Sequence, residues 1–235
     1  MKAMVFAAGL GTRLRPLTDN IPKALVDVAG EPLLGRVIAR LEAAGVTELV
    51  VNTHHFHEKI EAYLESRGNF GLRIELSREE GFPLETGGGL KKAAGFFDDG
   101  EPFFAYNADV WSEMDLRALY RAHLDSGALA TLAVRERPSK RHLMFDGGMR
   151  LAGREGDVSA PGLRPFAFSG IQVVSPRLFD LMTEEGVFSI TQVYLRLAAA
   201  GEKIKGFADA SPFWCDIGDM ERLERVRLRA AGGAS

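Results

Sequence analysis

Residues 3–8, "AMVFAA", are apolar at every position, and the run stops at Gly9. A strand with no polar face must be covered on both sides, the arrangement of a parallel sheet sandwiched between helices. The following stretches keep to that plan. "PLLGRVIARLEAAG" (32–45) places Leu33, Leu34, Val37, Ile38 and Leu41 at helical spacing, with Gly45 as the stop. "ELVVNT" reads as a second strand, "HEKIEAYLESRG" as a second helix and "LRIELS" as a third strand. The loop "REEGFPLETGGG" then leads to a short helix over 90–96, and "PFFAYNADV" (102–110) is a fourth strand with a polar end. Alternation of this kind predicts an α/β fold, Rossmann-like, with three α/β/α layers and a mostly parallel central sheet.

From residue 128 the rhythm changes. "ALATLAVRE" and "RPFAFSGIQVVS" read as strands, and "RHLMFDGGMRLAG" as a hairpin around Gly-Gly. "SITQVYLRLAAAG" is a helix capped by Ser189. The strands "EKIKGFAD" and "FWCDIG" follow, then the helix "DMERLERVRLRAA" and a frayed "GGAS" end. The expected organisation is one domain over 1–235, made of two halves, 1–127 and 128–235.

Composition narrows the class. The 235 residues carry a net charge of −3, which argues against a broad nucleic-acid footprint. The single cysteine, Cys215, excludes an intrachain disulfide. The apolar run in "MKAMVFAAG" is too short for a signal peptide, and no apolar segment approaches membrane-span length. A cytoplasmic protein with no membrane partner is the expectation.

The loop "GLGTRLRPLTDNIPKAL" (9–25) limits the chemistry most. A dinucleotide fingerprint needs a third glycine where Leu14 stands and a helix where Pro16 stands. A Walker loop needs Gly-Lys-Ser/Thr, which is absent. What remains still suits phosphate. Gly9 and Gly11 let backbone amides approach an anion, Arg13 offers a planar fork, and Lys23 a compact charge on a long stem.

Those residues carry a resemblance. "AAGLGTRLRPLTDNIPKAL" resembles the signature of the sugar-phosphate nucleotidyltransferases, the nucleoside-diphosphate-sugar pyrophosphorylases, and the likeness extends over nearly the whole chain. Their pattern ends Pro-Lys-Pro, where this chain has Pro22-Lys23-Ala24. "YNADV" (106–110) stands where relatives have Asn-Gly-Asp, so Asp109 matches their metal ligand, a role that suits the preference of Mg²⁺ for hard oxygen. "FWCDIGDMERL" resembles their later Trp-x-Asp-Ile-Gly segment, which makes Asp216 the second metal carboxylate. Two carboxylates so far apart can share one ion only if the chain closes on it, which favours one integrated domain. Asp219 reads better as the N-cap of the last helix, with Arg222 and Arg225 on its exposed side.

The resemblance implies nucleotide-binding roles for Ala8, Gly9, Gly11, Thr12, Arg13, Lys23, Glu85, Thr86, Gly87 and Gly88. In "PLETGGGL" the glycines would offer bare backbone to a base and free amides at a helix start. Asn107, Arg141, Ser169 and Gly170 are the expected sugar-phosphate contacts. Arg13, Lys23 and Asp109 are the expected catalytic residues. "ETGGG" is similar to the N-acetylmuramate 1-phosphate uridylyltransferases and occurs in relatives assigned to mannose 1-phosphate. The implied reaction joins a nucleoside triphosphate, UTP first, to a sugar 1-phosphate with Mg²⁺, in a monomer or homodimer. Guanylyl transfer to mannose 1-phosphate, cytidylyl transfer to a phospho-alcohol, and a non-catalytic sensor of the same fold are the alternatives. His54, His55 and His57 read as a loop or capping cluster, Cys215 as a small core residue, and Trp111 as packing under the metal site.

Overall fold

The computed structural model describes residues 1–232. In chain order its first elements are β1 (Lys2–Phe6), β2 (Asp27–Val28), β3 (Glu31–Pro32), α1 (Leu33–Ala44), β4 (Glu48–Thr53), α2 (His57–Ser66) and β5 (Arg73–Arg78). Then come α3 (Glu85–Lys92), β6 (Phe103–Asn107), β7 (Val110–Ser112), α4 (Leu116–Ser126), β8 (Ala130–Arg135), β9 (Leu143–Phe145) and β10 (Leu151–Arg154). The chain ends with β11 (Arg164–Val174), α5 (Leu178–Leu181), α6 (Ile190–Ala199), β12 (Ile204–Ala208), β13 (Trp214–Asp216) and α7 (Met220–Gly232). Gly232 closes α7, and the rest of the expected frayed end lies outside the described residues.

Contacts divide the chain into two compact units, and the division does not fall at residue 127. The first contains Met1–Pro83, Tyr106–Glu113 and the stretch from Pro212; the second contains Leu84–Ala105 and Met114–Ser211. The C-terminal stretch belongs with the first unit because β13 pairs antiparallel with β7, Asp216 opposite Val110 and Trp214 opposite Ser112.

In the first unit β1, β4 and β5 form a parallel sheet, with Lys2 opposite Glu48 and Glu48 opposite Arg73. Ala3, Met4 and Val5 are fully buried, as a strand without a polar face requires. Helix α1 buries Leu33, Leu34, Val37, Ile38 and Leu41. It ends at Gly45, whose φ of 103° belongs to the left-handed region and whose N–H donates to Glu42 O at 2.8 Å. A second apolar cluster joins Leu14, Val26, Val28, Leu33, Cys215, Ile217, Leu223 and Val226, so α7 rests on the opening loop and on β13.

In the second unit β8 lies between β11, antiparallel, and β12, parallel. The hairpin β9–β10 continues from β11. Its turn is organised by Asp146 Oδ1, which accepts from Gly148 N (2.9 Å) and Arg150 N (2.8 Å). The left-handed residue there is Met149 (φ 58°), not either glycine of the pair. Phe97, Phe103 and Phe179 stack beside one another, with centroids 3.7 Å apart for the first two and 5.8 Å for the last two. Among the described residues no helix is long and apolar enough to cross a membrane.

Several elements depart from the sequence reading: β2, β3 and α5 were not expected, and α3 begins at Glu85 instead of residue 90. The single strand expected over 102–110 is divided, because 108–109 form a turn between β6 and β7. The segment 116–126 adds a helix, α4, capped by Asp115, whose Oδ1 accepts from Ala118 N at 3.0 Å. Its His123 is buried, and Nδ1 sits 3.0 Å from Thr131 Oγ1. Burial pushes the imidazole down to about 4, so it is neutral in the fold. An unfolded histidine protonates near 6.5, so the unfolded chain takes up this proton first as pH falls. The stability due to neutral burial is therefore complete above pH 6.5 and is lost as pH drops from there towards about 4. Urea unfolding between pH 7 and 4.5 should show up to about 1.4 kcal/mol of extra loss per pH unit in that window, relative to His123→Gln. Parallel pH profiles for the two proteins would contradict it.

Candidate active site

The opening loop is ordered by its own side chains. Three short 3₁₀ turns, Thr12–Leu14, Leu17–Asp19 and Lys23–Leu25, carry it away from β1. Leu14 N donates to Gly11 O at 2.9 Å, and Thr18 Oγ1 donates to the same carbonyl at 2.8 Å. Leu14 itself is fully buried in the cluster with Ile217 and Val26. Gly11 has φ 65°, and a Cβ there would stand 3.0 Å from Lys23 Cβ and 3.1 Å from Thr18 Cγ2. Glycine is required at that point for both conformation and space. The end of β1 is pinned as well. Ala7 N donates to Asn52 Oδ1 (2.7 Å), and Asn52 Nδ2 donates to Glu79 Oε1 (2.6 Å), all buried or nearly so.

Lys23 is delivered from this loop to Asp109. Its ammonium forms an ion pair with Asp109 Oδ2, and the two side chains are 13% and 31% exposed. Asp109 is held by the backbone on both sides. Ala108 N donates to Phe6 O at 3.0 Å, and Asp109 O accepts from Ile217 N at 2.8 Å. That last bond continues the β7–β13 register, so the backbones of Asp109 and Asp216 run alongside each other. Asp216 Oδ1 accepts from Arg222 Nη1 at 2.5 Å. The guanidinium of Arg13 lies on Gly218, where a Cβ would meet its three terminal atoms at 3.2–3.4 Å. Arg13, Lys23, Asp109 and Asp216 are thus gathered within the first unit, with Gly9, Gly11 and Thr12 on the loop and Asn107 at the end of β6.

Asp109 and Asp216 are hard-oxygen donors of the kind magnesium takes, and among the described residues no group of three or more His, Cys, Asp or Glu side chains is gathered for a metal. Magnesium takes one or two protein carboxylates and fills its remaining positions with water and phosphate oxygens. Each carboxylate already has a cation beside it, so neither is an isolated charge.

The other expected contacts belong to the second unit. Gly87 and Gly88 do not form an open loop but lie in the first turn of α3. Their amides are not free, since both donate to Phe188 O, at 2.9 and 3.2 Å. A Cβ on Gly87 would stand 2.4 Å from the Phe188 ring, and one on Gly88 would stand 2.4 Å from Gly186 O. These glycines serve helix packing. Thr86 Oγ1 accepts from Ile190 N at 3.1 Å, while Glu85 is exposed and holds φ 58°. Ser169 and Gly170 occupy an irregularity in β11 between Phe168 and Gln172, with Gly170 at φ 75°. Arg141 is exposed on the preceding connection, its amide donating to Ser139 Oγ at 3.0 Å.

The quieter readings also have clear positions. His54 Nδ1 pairs with Glu79 O at 2.8 Å, His55 packs on Phe56, and His57 Nδ1 is 3.3 Å from Glu58. This is a cluster at the start of α2. Cys215 is buried in the apolar cluster, and that burial pushes its thiol up. Trp111 packs against the same cluster and carries Arg36 over its ring at 5.1 Å. Arg222 is not simply on the exposed side of α7, because it reaches back to Asp216. Asp219 does cap that helix, its Oδ1 accepting from Arg222 N at 3.0 Å. The sequence reading missed Thr18, Asn52 and Glu79, although a lone asparagine in the apolar "LVVNT" was a usable sign.

Comparison with known proteins identifies the family and the fold. The family model described as nucleotidyl transferase matches residues 2–158. The N-acetylmuramate alpha-1-phosphate uridylyltransferase of Neisseria meningitidis is 34% identical, with 98% of each chain covered. That of Caulobacter vibrioides is 36% identical, over 97% of this chain and 96% of its own. An apo UDP-glucose pyrophosphorylase structure superposes with a TM-score of 0.81 at 18% identity, covering all of both chains, which establishes the common fold.

The packing of α3 gives a direct test. Gly87→Ala should destabilise the protein by about 1–3 kcal/mol, the usual cost of overpacking, read as a lower urea midpoint. An unchanged midpoint would mean that Gly87 is not wedged against Phe188.

Proposed function

This chain belongs to the nucleotidyl transferase family, and from that premise we propose a magnesium-dependent transfer of UMP from UTP to N-acetylmuramate 1-phosphate. Transfer of a nucleotidyl group to a sugar 1-phosphate is the activity its relatives are named for. The choice of UTP and of N-acetylmuramate 1-phosphate rests on the two full-length relatives named above and on "ETGGG". The observation that carries the chemistry is the meeting of Lys23 with Asp109 beside the Asp216 backbone.

In the proposed reaction a phosphate oxygen of the acceptor attacks the α-phosphorus of UTP. The bond from that phosphorus to the bridging oxygen breaks, and pyrophosphate leaves in line. A phosphate monoester has its second pKa near 6, so the nucleophile is already ionised and no general base is needed. Catalysis is then positioning and charge neutralisation. Magnesium held by Asp109 and Asp216 would supply a divalent charge to the reacting phosphates. Lys23, on leaving Asp109, would bring its ammonium to the phosphoryl oxygens where charge builds. Arg13 and the amides of the Gly9–Gly11 turn would hold the departing pyrophosphate with a planar fork and close backbone donors.

Asp109→Asn is nearly isosteric and keeps the backbone bonds to Phe6 and Ile217 available. It should fold normally yet lose about 10²–10³ in turnover, the scale of one preorganised electrostatic group. Pyrophosphate release from UTP and N-acetylmuramate 1-phosphate with Mg²⁺, alongside circular dichroism, checks this. Equal rates for the two proteins would remove Asp109 from the mechanism.

A further inference from the structure

Arg222 stands in contact with two carboxylates of different duty. Its Nη1 donates to Asp216 Oδ1 at 2.5 Å, while its Nε lies 3.5 Å from Asp219 Oδ2. Its position is fixed from behind, because its own N–H is the donor that Asp219 caps at 3.0 Å. The guanidinium therefore sits on the first turn of α7 with one acceptor on β13 and another on the helix cap. All three side chains are partly open to solvent: Arg222 39%, Asp216 40% and Asp219 41% exposed. A pair that exposed is weak enough to be exchanged.

We propose that Arg222 is an exchangeable counter-ion of Asp216, which it holds in the metal-free protein and releases to Asp219 when a divalent cation binds. This inference rests on the metal role proposed for Asp216 and adds a residue to it. In the metal-free protein the bond keeps Asp216 charge-compensated and oriented, as Lys23 does for Asp109. A cation that takes Asp216 competes with the guanidinium for the same carboxylate charge, so Arg222 lowers metal affinity. Asp219 opposes it by giving the displaced guanidinium another acceptor. Arg222 acts through Asp216 as a positioning residue.

The two carboxylates make the test asymmetric. Mn²⁺ binding to the full-length protein is measured by electron paramagnetic resonance of the free ion, without nucleotide. Arg222→Gln should tighten Mn²⁺ about three- to fivefold, the range open to an exposed ion pair. Arg225→Gln removes the same charge one turn further along α7 and should leave affinity nearly unchanged. Asp219→Asn retains a good N-cap but takes away the second acceptor, and should weaken Mn²⁺ about two- to threefold. That weakening should vanish in the Arg222→Gln background, the signature of two residues acting through one contact.

The proposal is overturned if Arg222→Gln binds Mn²⁺ no more tightly than the parent, or if Arg225→Gln tightens it equally. It also falls if Asp219→Asn acts alike in both backgrounds, or if no protein of the set binds Mn²⁺. Pyrophosphate release measured on the same preparations separates the two levels. Metal-dependent turnover with unmoved Mn²⁺ affinities removes only the role of Arg222. Affinities that shift as stated, with no turnover on any acceptor, keep that role and discard the reaction.

Discussion

The hydrogen bond from Ile217 N to Asp109 O, 2.8 Å long, is the contact on which the site depends. It fastens the turn after β6 to a segment about a hundred residues later. Closing so long a loop costs little more than closing a shorter one, since each doubling adds only about 0.6 kcal/mol. Fixing the two segments is the larger cost. Two three-residue strands are marginal in isolation, so the ribbon of β7 and β13 needs an apolar partner. Ile217 and Cys215 supply it by packing with Leu14, Leu223 and Val226. Leu14 belongs to the opening loop and Leu223 to α7. One cluster thus sets the positions of the loop that carries Arg13 and Lys23 and of the two segments that carry the carboxylates.

Charge in the site follows the same economy. Each carboxylate has its own cation, Lys23 for Asp109 and Arg222 for Asp216, and the two pairs differ in kind. Lys23 is mostly covered and comes from a loop fixed by Gly11, so its stem has one route to Asp109. Arg222 comes from a helix and is open to water, with Asp219 as an alternative acceptor. A compact ammonium suits a place where charge is carried to a phosphoryl oxygen. A planar fork suits a place where two acceptors share one donor group. Arg13 makes a third use of charge, lying flat on Gly218. A side chain at that residue would push the guanidinium aside by a few tenths of an ångström.

Local signals in the chain were readable where one element decides its own form. The two-sided burial of β1, the apolar stripe of α1 and the left-handed stop at Gly45 all follow from period and residue type. Asp219 as a cap and Ser189 as a cap are of the same kind, the latter accepting from Thr191 N at 3.4 Å. What was not readable was settled by distant partners. Three consecutive glycines carry poor helix propensity, yet residues 87–89 are helical, and at Gly87 and Gly88 the neighbours Phe188 and Gly186 lie too close for a side chain. Arg222 looked like an exposed helix residue because nothing nearby in the sequence shows that Asp216 lies within reach. Asn52 and Glu79 sit in or just after strands and hold the end of β1 across the sheet, a contact that only register reveals.

The opening loop shows why this matters for function. Glycine-rich phosphate loops are usually thought to become ordered around their ligand, with the entropy of ordering charged to binding. Here Leu14 is buried, Thr18 and Leu14 both donate to Gly11 O, and Lys23 is anchored on Asp109. Contacts within the chain, the apolar cluster first among them, thus contribute to the ordering of the loop. A loop held by such contacts can present its amides and Arg13 in one geometry. A charge developing on phosphate in a transition state then meets donors that need not reorganise, which is the condition under which electrostatic groups contribute most to rate. The residues of this loop let the chain turn three times in fourteen residues while setting Lys23 on Asp109 and Arg13 beside Gly218.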